Sequence, residues 1–216
     1  MPLRGLRCHL LALALLAAGC AATPASTSSS GTRYRLGDYV VYRYGGPALA
    51  EPVTLREEVV AQEGSRLRID VTATRQSGER AWVQVLTDTP RNQRDNVVDA
   101  LWEKVDGRYV KLANRRNRDL YRLYDWALFK PDKPSRDIGS EPCKVELAGA
   151  IFKCTCSYAM TTFKGTSVRV KESQCPEFLS THGQSDVWPE VGEPVFYADV
   201  AETGRREDAT PQPFEP

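Results

Sequence analysis

Short segments that alternate between apolar and polar residues run through most of the chain, and this pattern is typical of antiparallel β-strands. In the clearest segment, residues 66–74, Leu67, Ile69, Val71 and Ala73 alternate with charged residues and threonine. A period of two places one side of a strand on a core and the other in water. Together with the turn residues between segments, the pattern predicts strands at 35–44, 53–62, 66–74, 81–87, 100–105, 108–112, 143–147, 151–162, 168–173 and 195–200.

Apolar residues between 114 and 130 instead recur at steps of three and four, which predicts one amphipathic α-helix that ends before Pro131. Segments 130–142 and 174–194 lack a clear period and are predicted to be mostly irregular. The fold class predicted is therefore mainly β, with an antiparallel sheet folded as a half-barrel or a sandwich and one main α-helix. We expect a single globular domain at 33–200 and a disordered tail at 201–216.

The first nineteen residues have the anatomy of a secretory signal. Arg4 and Arg7 precede an uncharged apolar run over 10–18, which is too short for the roughly 20 residues that span a bilayer. Residues 21–32 are rich in serine, threonine and alanine, with nothing to bury. We expect 1–19 to be a signal peptide and 20–32 to be a flexible tether with a reach of roughly 20 Å.

The end of this run, Leu16-Ala-Ala-Gly-Cys20, resembles the lipobox of bacterial lipoproteins. Ala17 departs from the pattern, which more often has leucine there. The resemblance implies cleavage before Cys20 and acylation of that residue, and two or three acyl chains anchor a protein stably. It also implies a place in the cell envelope, and Ala21, where an aspartate would favour the inner membrane, favours the outer membrane, on its periplasmic or surface face.

Composition narrows the function classes further. The chain has 29 basic and 28 acidic residues; removing Arg4 and Arg7 leaves 27 against 28, a net charge near −1. This balance argues against nucleic-acid binding, which needs a basic face. An apolar fraction of 41% is that of a globular protein. We expect no cofactor and no resident metal.

Four cysteines remain after the leader and the lipidation site, and an even number in an exported chain favours disulfides. Cys154 and Cys156 share one face of a strand, so each is expected to pair sideways. With turns at Ala148-Gly149 and near Gly165-Thr166, the predicted bonds are Cys143–Cys154 and Cys156–Cys175. A zinc site or a thiol-exchange site is a weaker alternative, because no C-x-x-C is present.

His182 is the single histidine of the mature chain and the weak catalytic candidate. It lies with Ser185 and Asp186 in one short segment. Triad residues normally meet from separate segments, and no G-x-S-x-G motif presents a serine. We therefore expect a hydrogen-bonded loop here, with a hydrolase using His182 as the sharper hypothesis.

A basic patch of Arg115, Arg116, Arg118 and Arg122 is a solvated helix face or, as the sharper hypothesis, a contact for phosphate headgroups or anionic wall polymers. Glu57 and Glu58 should lie on opposite faces of a strand. The four tryptophans are expected to pack in the core or at its rim.

A curved sheet with a helix on its concave side resembles the LolA-like lipoprotein carriers in layout, without a motif match. Two function classes remain open: a non-enzymatic envelope lipoprotein that binds another envelope protein, the wall or a lipid, and an enzyme. A lipid carrier is the alternative that the layout implies.

Overall fold

The computed structural model describes residues 33–89, 91–92, 97–112, 131–133, 135–179 and 182–216. Residues 31–216 belong to one compact unit. The predicted signal peptide, the tether with Cys20, and the helix at 114–130 lie outside the described residues. Within the described part, no helix is long and apolar enough to cross a bilayer.

Eleven strands make up the described fold. They are β1 (Asp38–Gly45), β2 (Val53–Glu63), β3 (Arg66–Arg75), β4 (Gly78–Thr87), β5 (Ala100–Val105), β6 (Arg108–Lys111), β7 (Arg136–Leu147), β8 (Ala150–Phe163), β9 (Thr166–Gln174), β10 (His182–Pro189) and β11 (Phe196–Arg205).

All eleven strands form a single antiparallel sheet in the order β6-β5-β4-β3-β2-β1-β11-β10-β9-β8-β7. The first and last strands therefore pair in the middle of the sheet, and β6 and β7 form its two edges. β7 also approaches β11, four places away in this order, because the sheet curves. The prediction of a mainly β, antiparallel, disulfide-tied fold is confirmed.

Alternation sets which side of each strand is buried. On β3, Leu67, Ile69, Val71 and Ala73 are at most 3% exposed and belong to the main core, as their period of two predicts. This core covers the inner face of the sheet. A separate, smaller apolar cluster lies on the outer face, around Val83, Val85 and Trp102.

Two-residue turns join several neighbouring strands. Asp106 and Gly107 both have positive φ, 49° and 79°, as the Asp-Gly sequence predicts for a tight hairpin turn. Ala148-Gly149 and Lys164-Gly165 have the same pattern. These turns fix the register of β7, β8 and β9, and so decide where the cysteines lie.

Three regions differ from the sequence prediction. β7 begins at Arg136, although Gly139 and Pro142 predicted an irregular segment; β7 is an edge strand, where proline is tolerated. β10 lies within the segment predicted as mostly loop. β11 extends to Arg205, beyond the predicted end of the domain.

The prediction of a disordered tail is also wrong, because residues 206–216 pack on the outer face. The backbone N–H of Gln212 donates to the Val60 carbonyl at 2.8 Å, and the Arg68 guanidinium donates to the Pro213 carbonyl. Phe214 packs against the outer apolar cluster. The polar composition of the tail predicted disorder. The contacts that order it join distant parts of the chain, so they produce no periodic pattern in the local sequence.

The disulfides join Cys143 to Cys156 and Cys154 to Cys175, so the predicted pairing is wrong. The predicted register for Cys143 is right, because it lies directly opposite Cys154. The second hairpin is shifted by two residues from the prediction: Phe163 pairs with Thr166 and Thr155 with Gln174.

This register places Cys175 beside Cys154 rather than beside Cys156. Cys154 therefore has a cysteine neighbour on each side. Its Cα lies 4.3 Å from that of Cys175, which is the separation of a non-hydrogen-bonded pair, in which side chains come closest. Cys143 is left to bond diagonally to Cys156, with Cα atoms 5.7 Å apart.

Candidate functional site

Polar side chains gather on the inner face where β1, β2 and β10 meet the loop that follows β9. We call this group, Tyr34, Tyr42, Tyr44, Glu57, His182 and Ser185, the inner polar cluster. It contains the weak catalytic candidate His182.

A β-bulge brings His182 and Ser185 to the same side of β10. The pairing of β10 with β9 shifts between these residues, with His182 opposite Gln174 and Ser185 opposite Glu172. Residues three apart on a regular strand point to opposite faces, and an extra residue in a bulge reverses this relation. The Ser185 Oγ consequently lies 3.4 Å from the His182 Nε2.

Asp186 does not join this pair. It lies between Ser185 and Val187 on β10, and both of these neighbours are buried, at 5% and 1% exposure. Asp186 therefore points to the outer face, where it is opposite Lys171 of β9. The three residue types of a hydrolase triad occur in this segment, but the strand separates the acid from the base.

Tyr34 and Tyr42 hold the loop after β9 against the inner face. The Tyr34 hydroxyl donates to the Phe178 carbonyl at 2.7 Å, and the Tyr42 hydroxyl lies within hydrogen-bond distance of the carbonyls of Leu179, at 3.1 Å, and His182, at 2.8 Å. Phe178 and Leu179 are buried in the main core. The tyrosines thus satisfy carbonyls that burial would otherwise leave without partners.

Desolvation shifts the pKa values of His182, Tyr34 and Tyr44 toward their neutral forms. Burial lowers the pKa of His182 to about 4, and its ring centroid lies 5.6 Å from that of Tyr42. Burial raises the pKa of Tyr34 to about 12, and it raises the pKa of Tyr44 as well. At neutral pH, His182 is therefore an uncharged imidazole in an aromatic setting.

Glu57 and Glu58 lie on opposite faces, as predicted. Glu57 is opposite Val40 on β1 and Val71 on β3, both fully buried, so its carboxyl group lies on the inner face. Glu58 lies on the outer face, where it pairs with Arg56 at 3.0 Å and Arg206 at 2.8 Å. The inner face therefore carries one buried acid from this pair.

Gly183 lets β9 and β10 approach each other beside the Cys154–Cys175 disulfide. A Cβ atom at Gly183 would lie 2.6 Å from the Cys175 Sγ and closer still to the Ser173 Oγ. The Ser173 Oγ accepts a hydrogen bond from the backbone N–H of Gln184 at 2.6 Å. The Cys175 Sγ is fixed by its disulfide to Cys154. Neither atom can move away easily.

Replacing Gly183 by alanine is therefore expected to lower the free energy of unfolding by about 2 kcal/mol, through overpacking. Urea unfolding of purified protein measures this change. Gly204→Ala is the matched control, because Gly204 is also a strand glycine without a positive φ, and its added Cβ would lie no closer than 3.2 Å to Tyr39. That variant should change stability by less than about 0.5 kcal/mol; equal effects would contradict the tight approach at Gly183.

The other predicted sites have different outcomes. Arg115, Arg116, Arg118, Arg122, Trp126 and Cys20 lie outside the described residues, so the headgroup-binding and lipidation hypotheses stay predictions. Trp82 and Trp102 are buried, as expected for packing residues. Within the described ranges, no group of three His, Cys, Asp or Glu side chains is arranged to hold a metal ion.

Sequence reasoning did not identify Tyr34 and Tyr42 as partners of the loop, nor the contact of Phe214 with the outer face. The sequence offers two signals: Tyr42 and Tyr44, two tyrosines on the same side of a strand, and Phe214, a single phenylalanine in a polar, proline-rich tail. Neither signal names its partner, because every partner is more than a hundred residues away.

Comparisons with known proteins assign no family to this fold and cluster: no family model, curated protein or solved structure matches the chain.

Proposed function

We propose that this protein is a non-enzymatic binding module of the bacterial cell envelope, anchored to a membrane through acylated Cys20. The anchor is inferred from the leader and the lipobox-like Leu16-Ala-Ala-Gly-Cys20 sequence. The observation that carries the proposal is the pair of disulfides, Cys143–Cys156 and Cys154–Cys175. Disulfides persist in exported proteins and are rare in the reducing cytosol, so they support export independently of the leader.

The inner polar cluster supports binding over catalysis. A general base at neutral pH needs a pKa near 7, whereas burial holds that of His182 near 4. The acid that would orient it, Asp186, points to the other face. The Tyr34 and Tyr42 hydroxyls bond to backbone carbonyls of the chain itself, which is a structural role.

The same cluster favours a protein partner over a carried lipid. A carrier needs an apolar cavity on the inner face, and the loop residues Phe178 and Leu179 occupy that face next to Tyr34 and Tyr42. Phe152 packs on Phe178 with ring centroids 4.6 Å apart. This end of the inner face is therefore a filled core.

The anchor is tested by expressing the full chain in a bacterial host and fractionating the cells. We expect the protein in the membrane fraction, the outer membrane first, and a diacylglycerol plus acyl mass on an N-terminal Cys20 by mass spectrometry. Cys20→Ala is the matched control and should release the protein from the membrane. An unmodified Cys20, or a wild-type protein in the cytosolic fraction, would overturn the proposal.

The non-enzymatic part has its own test. Purified protein is screened against ester, peptide and glycoside substrates together with His182→Ala and Ser185→Ala variants. We expect no turnover that depends on either residue. A hydrolysis that both substitutions abolish in folded protein would favour the enzyme hypothesis instead.

A further inference from the structure

Residues 206–216, which we call the C-terminal strap, cross the outer face of the sheet from β1 to β5. The strap begins where the Arg206 amide donates to the Gly37 carbonyl at 2.9 Å. It passes β2 and β3 through the Gln212 and Pro213 backbone. It ends with Phe214 on the outer apolar cluster of β4 and β5. Neighbouring strands are about 4.8 Å apart, so the strap spans roughly 20 Å.

Phe214 packs on an apolar site with basic neighbours, which we call the outer groove. Val83, Val85 and Trp102, all at most 6% exposed, form this site, and Ala100 and Tyr109 pack against them. The guanidinium carbon of Arg66 lies 4.5 Å from the centre of the Phe214 ring. Phe214 itself stays partly exposed.

The strap makes contacts that any extended peptide of similar composition could make. Next to Phe214 these contacts use backbone groups of the strap, the Gln212 N–H and the Pro213 carbonyl. At the start of the strap, the Arg206 side chain pairs with Glu58 at 2.8 Å. Proline at 211, 213 and 216 restricts the chain to extended conformations and lowers the entropy lost on docking. This combination of a stiff extended segment and one aromatic anchor is a common mode of peptide recognition.

The charges of the strap and of the groove are largely opposite in sign. The strap carries three acidic residues, Glu207, Asp208 and Glu215, and one basic residue, Arg206, whose guanidinium lies 3.8 Å from Asp208. The groove is bordered by Arg66 and by Lys111, whose ammonium lies 5.1 Å from the Trp102 ring. The groove therefore suits an acidic segment. A cation beside an aromatic anchor adds to the attraction of the pocket.

The outer groove is separate from the main core. Phe214 packs against the small outer cluster, whereas the residues of the main core lie on the inner face. The strap contacts the sheet on its outer face, so its departure would expose the outer groove and leave the inner core closed.

We propose that the outer groove is a docking site for an extended, acidic, proline-rich segment with one aromatic residue, supplied by a partner protein in the envelope. The C-terminal strap occupies this site in the unbound protein. This inference rests on the proposed binding function and names where the partner binds and its chemistry.

Occupation by the strap sets the threshold for a partner. A tethered segment competes at an effective concentration in the millimolar range. A strap whose own intrinsic dissociation constant is near 100 μM would thus weaken the binding of a partner peptide about tenfold, compared with a protein whose groove is free. The strap acts as a built-in competitor that only a well-matched segment displaces.

The test uses full-length protein purified from membranes and a fluorescein-labelled peptide with the sequence of Asp208–Pro216. Phe214→Ala empties the aromatic site, and fluorescence anisotropy measures binding. We expect the variant to bind the peptide at least about tenfold more tightly than the wild type. The matched control is the same peptide with alanine in place of phenylalanine, which should lose most of its binding to the variant.

A second variant that ends at Ala209 covers the case in which the remaining strap still blocks the groove. Circular dichroism verifies that both variants are folded. If neither folded variant binds the peptide, or if both bind the alanine peptide equally well, the strap is only a structural clasp and the proposal is wrong. The acylation and fractionation test of Cys20 is independent of this result, so failure of the groove and failure of the anchor are distinguishable.

Discussion

Replacing Cys154 and Cys175 together by alanine is expected to lower the free energy of unfolding by about 3 kcal/mol. The bond closes a loop of 21 residues, and releasing a loop of this length gives the unfolded chain that much more entropy. Both residues are also buried, at 6% and 0% exposure, so alanine leaves unfilled space. Urea unfolding at neutral pH measures the change.

The other bond provides a comparison. Cys143 and Cys156 close a shorter loop of 13 residues, and Cys143 is only half-buried. Its removal should cost somewhat less. A third double variant, Cys143→Ala with Cys154→Ala, breaks both native bonds and should be the least stable of the three. If it is instead the most stable, the bonds join Cys143 to Cys154 and Cys156 to Cys175.

The Cys154–Cys175 bond also positions part of the inner polar cluster. Cys175 immediately precedes the loop that supplies the carbonyls of Phe178 and Leu179 to Tyr34 and Tyr42. Fixing Cys175 to β8 therefore fixes the start of this loop.

Acidification from pH 6.5 to pH 4 is expected to lower the free energy of unfolding through His182 by about 3 kcal/mol. Burial lowers the pKa of His182 from 6.5 to about 4 in the folded protein. Between these values the unfolded chain binds a proton that the folded protein does not, so stability rises with pH across this window. The magnitude follows from roughly 1.4 kcal/mol for each unit of pKa difference.

The measurement is urea unfolding at half-unit steps from pH 7.5 to pH 4 for the wild type and for His182→Gln. Glutamine keeps a polar side chain but does not titrate, so its curve should be flatter by about 3 kcal/mol across the window. Burial raises the pKa values of Asp186 and Asp199, but these groups contribute equally to both curves. Ser185→Ala is the matched control and should keep the steep dependence. Parallel curves for the wild type and His182→Gln would contradict the desolvation of His182.

The roles of the Cys154–Cys175 disulfide and of buried His182 are structural, and both lie on the inner face. His182 and Ser185 meet there, but the His182 ring lies beside Tyr42, and the Tyr42 hydroxyl is bonded to backbone carbonyls of the chain itself. The outer face instead carries an apolar groove with a basic rim that the end of the chain covers. The outer face is therefore where the proposed partner would dock.

The strands of the first half of the chain could be predicted from sequence because their information is local. β3 shows one apolar residue at every second position, and β5 and the Asp106-Gly107 turn lie where composition places them. β10 could not be recognised, because two of its three buried positions are Gly183 and Ser185, and only Val187 is a typical strand residue. Gly183 and Ser185 are buried by the closeness of β9 and the disulfide, and small polar residues otherwise indicate a loop.

The sequence by itself determined the antiparallel β class, the positions of most strands and turns, and the opposite faces of Glu57 and Glu58, since each depends on the period of the strand or on the chemistry of a turn. Only the tertiary structure decided which cysteines bond, which side of β10 presents His182 and Ser185, and where Phe214 binds. A two-residue shift in one hairpin moved Cys175 from Cys156 to Cys154, and one bulge joined the histidine to the serine. Such registers and long-range contacts are set by the packing of distant segments, which leaves no periodic signal along the chain.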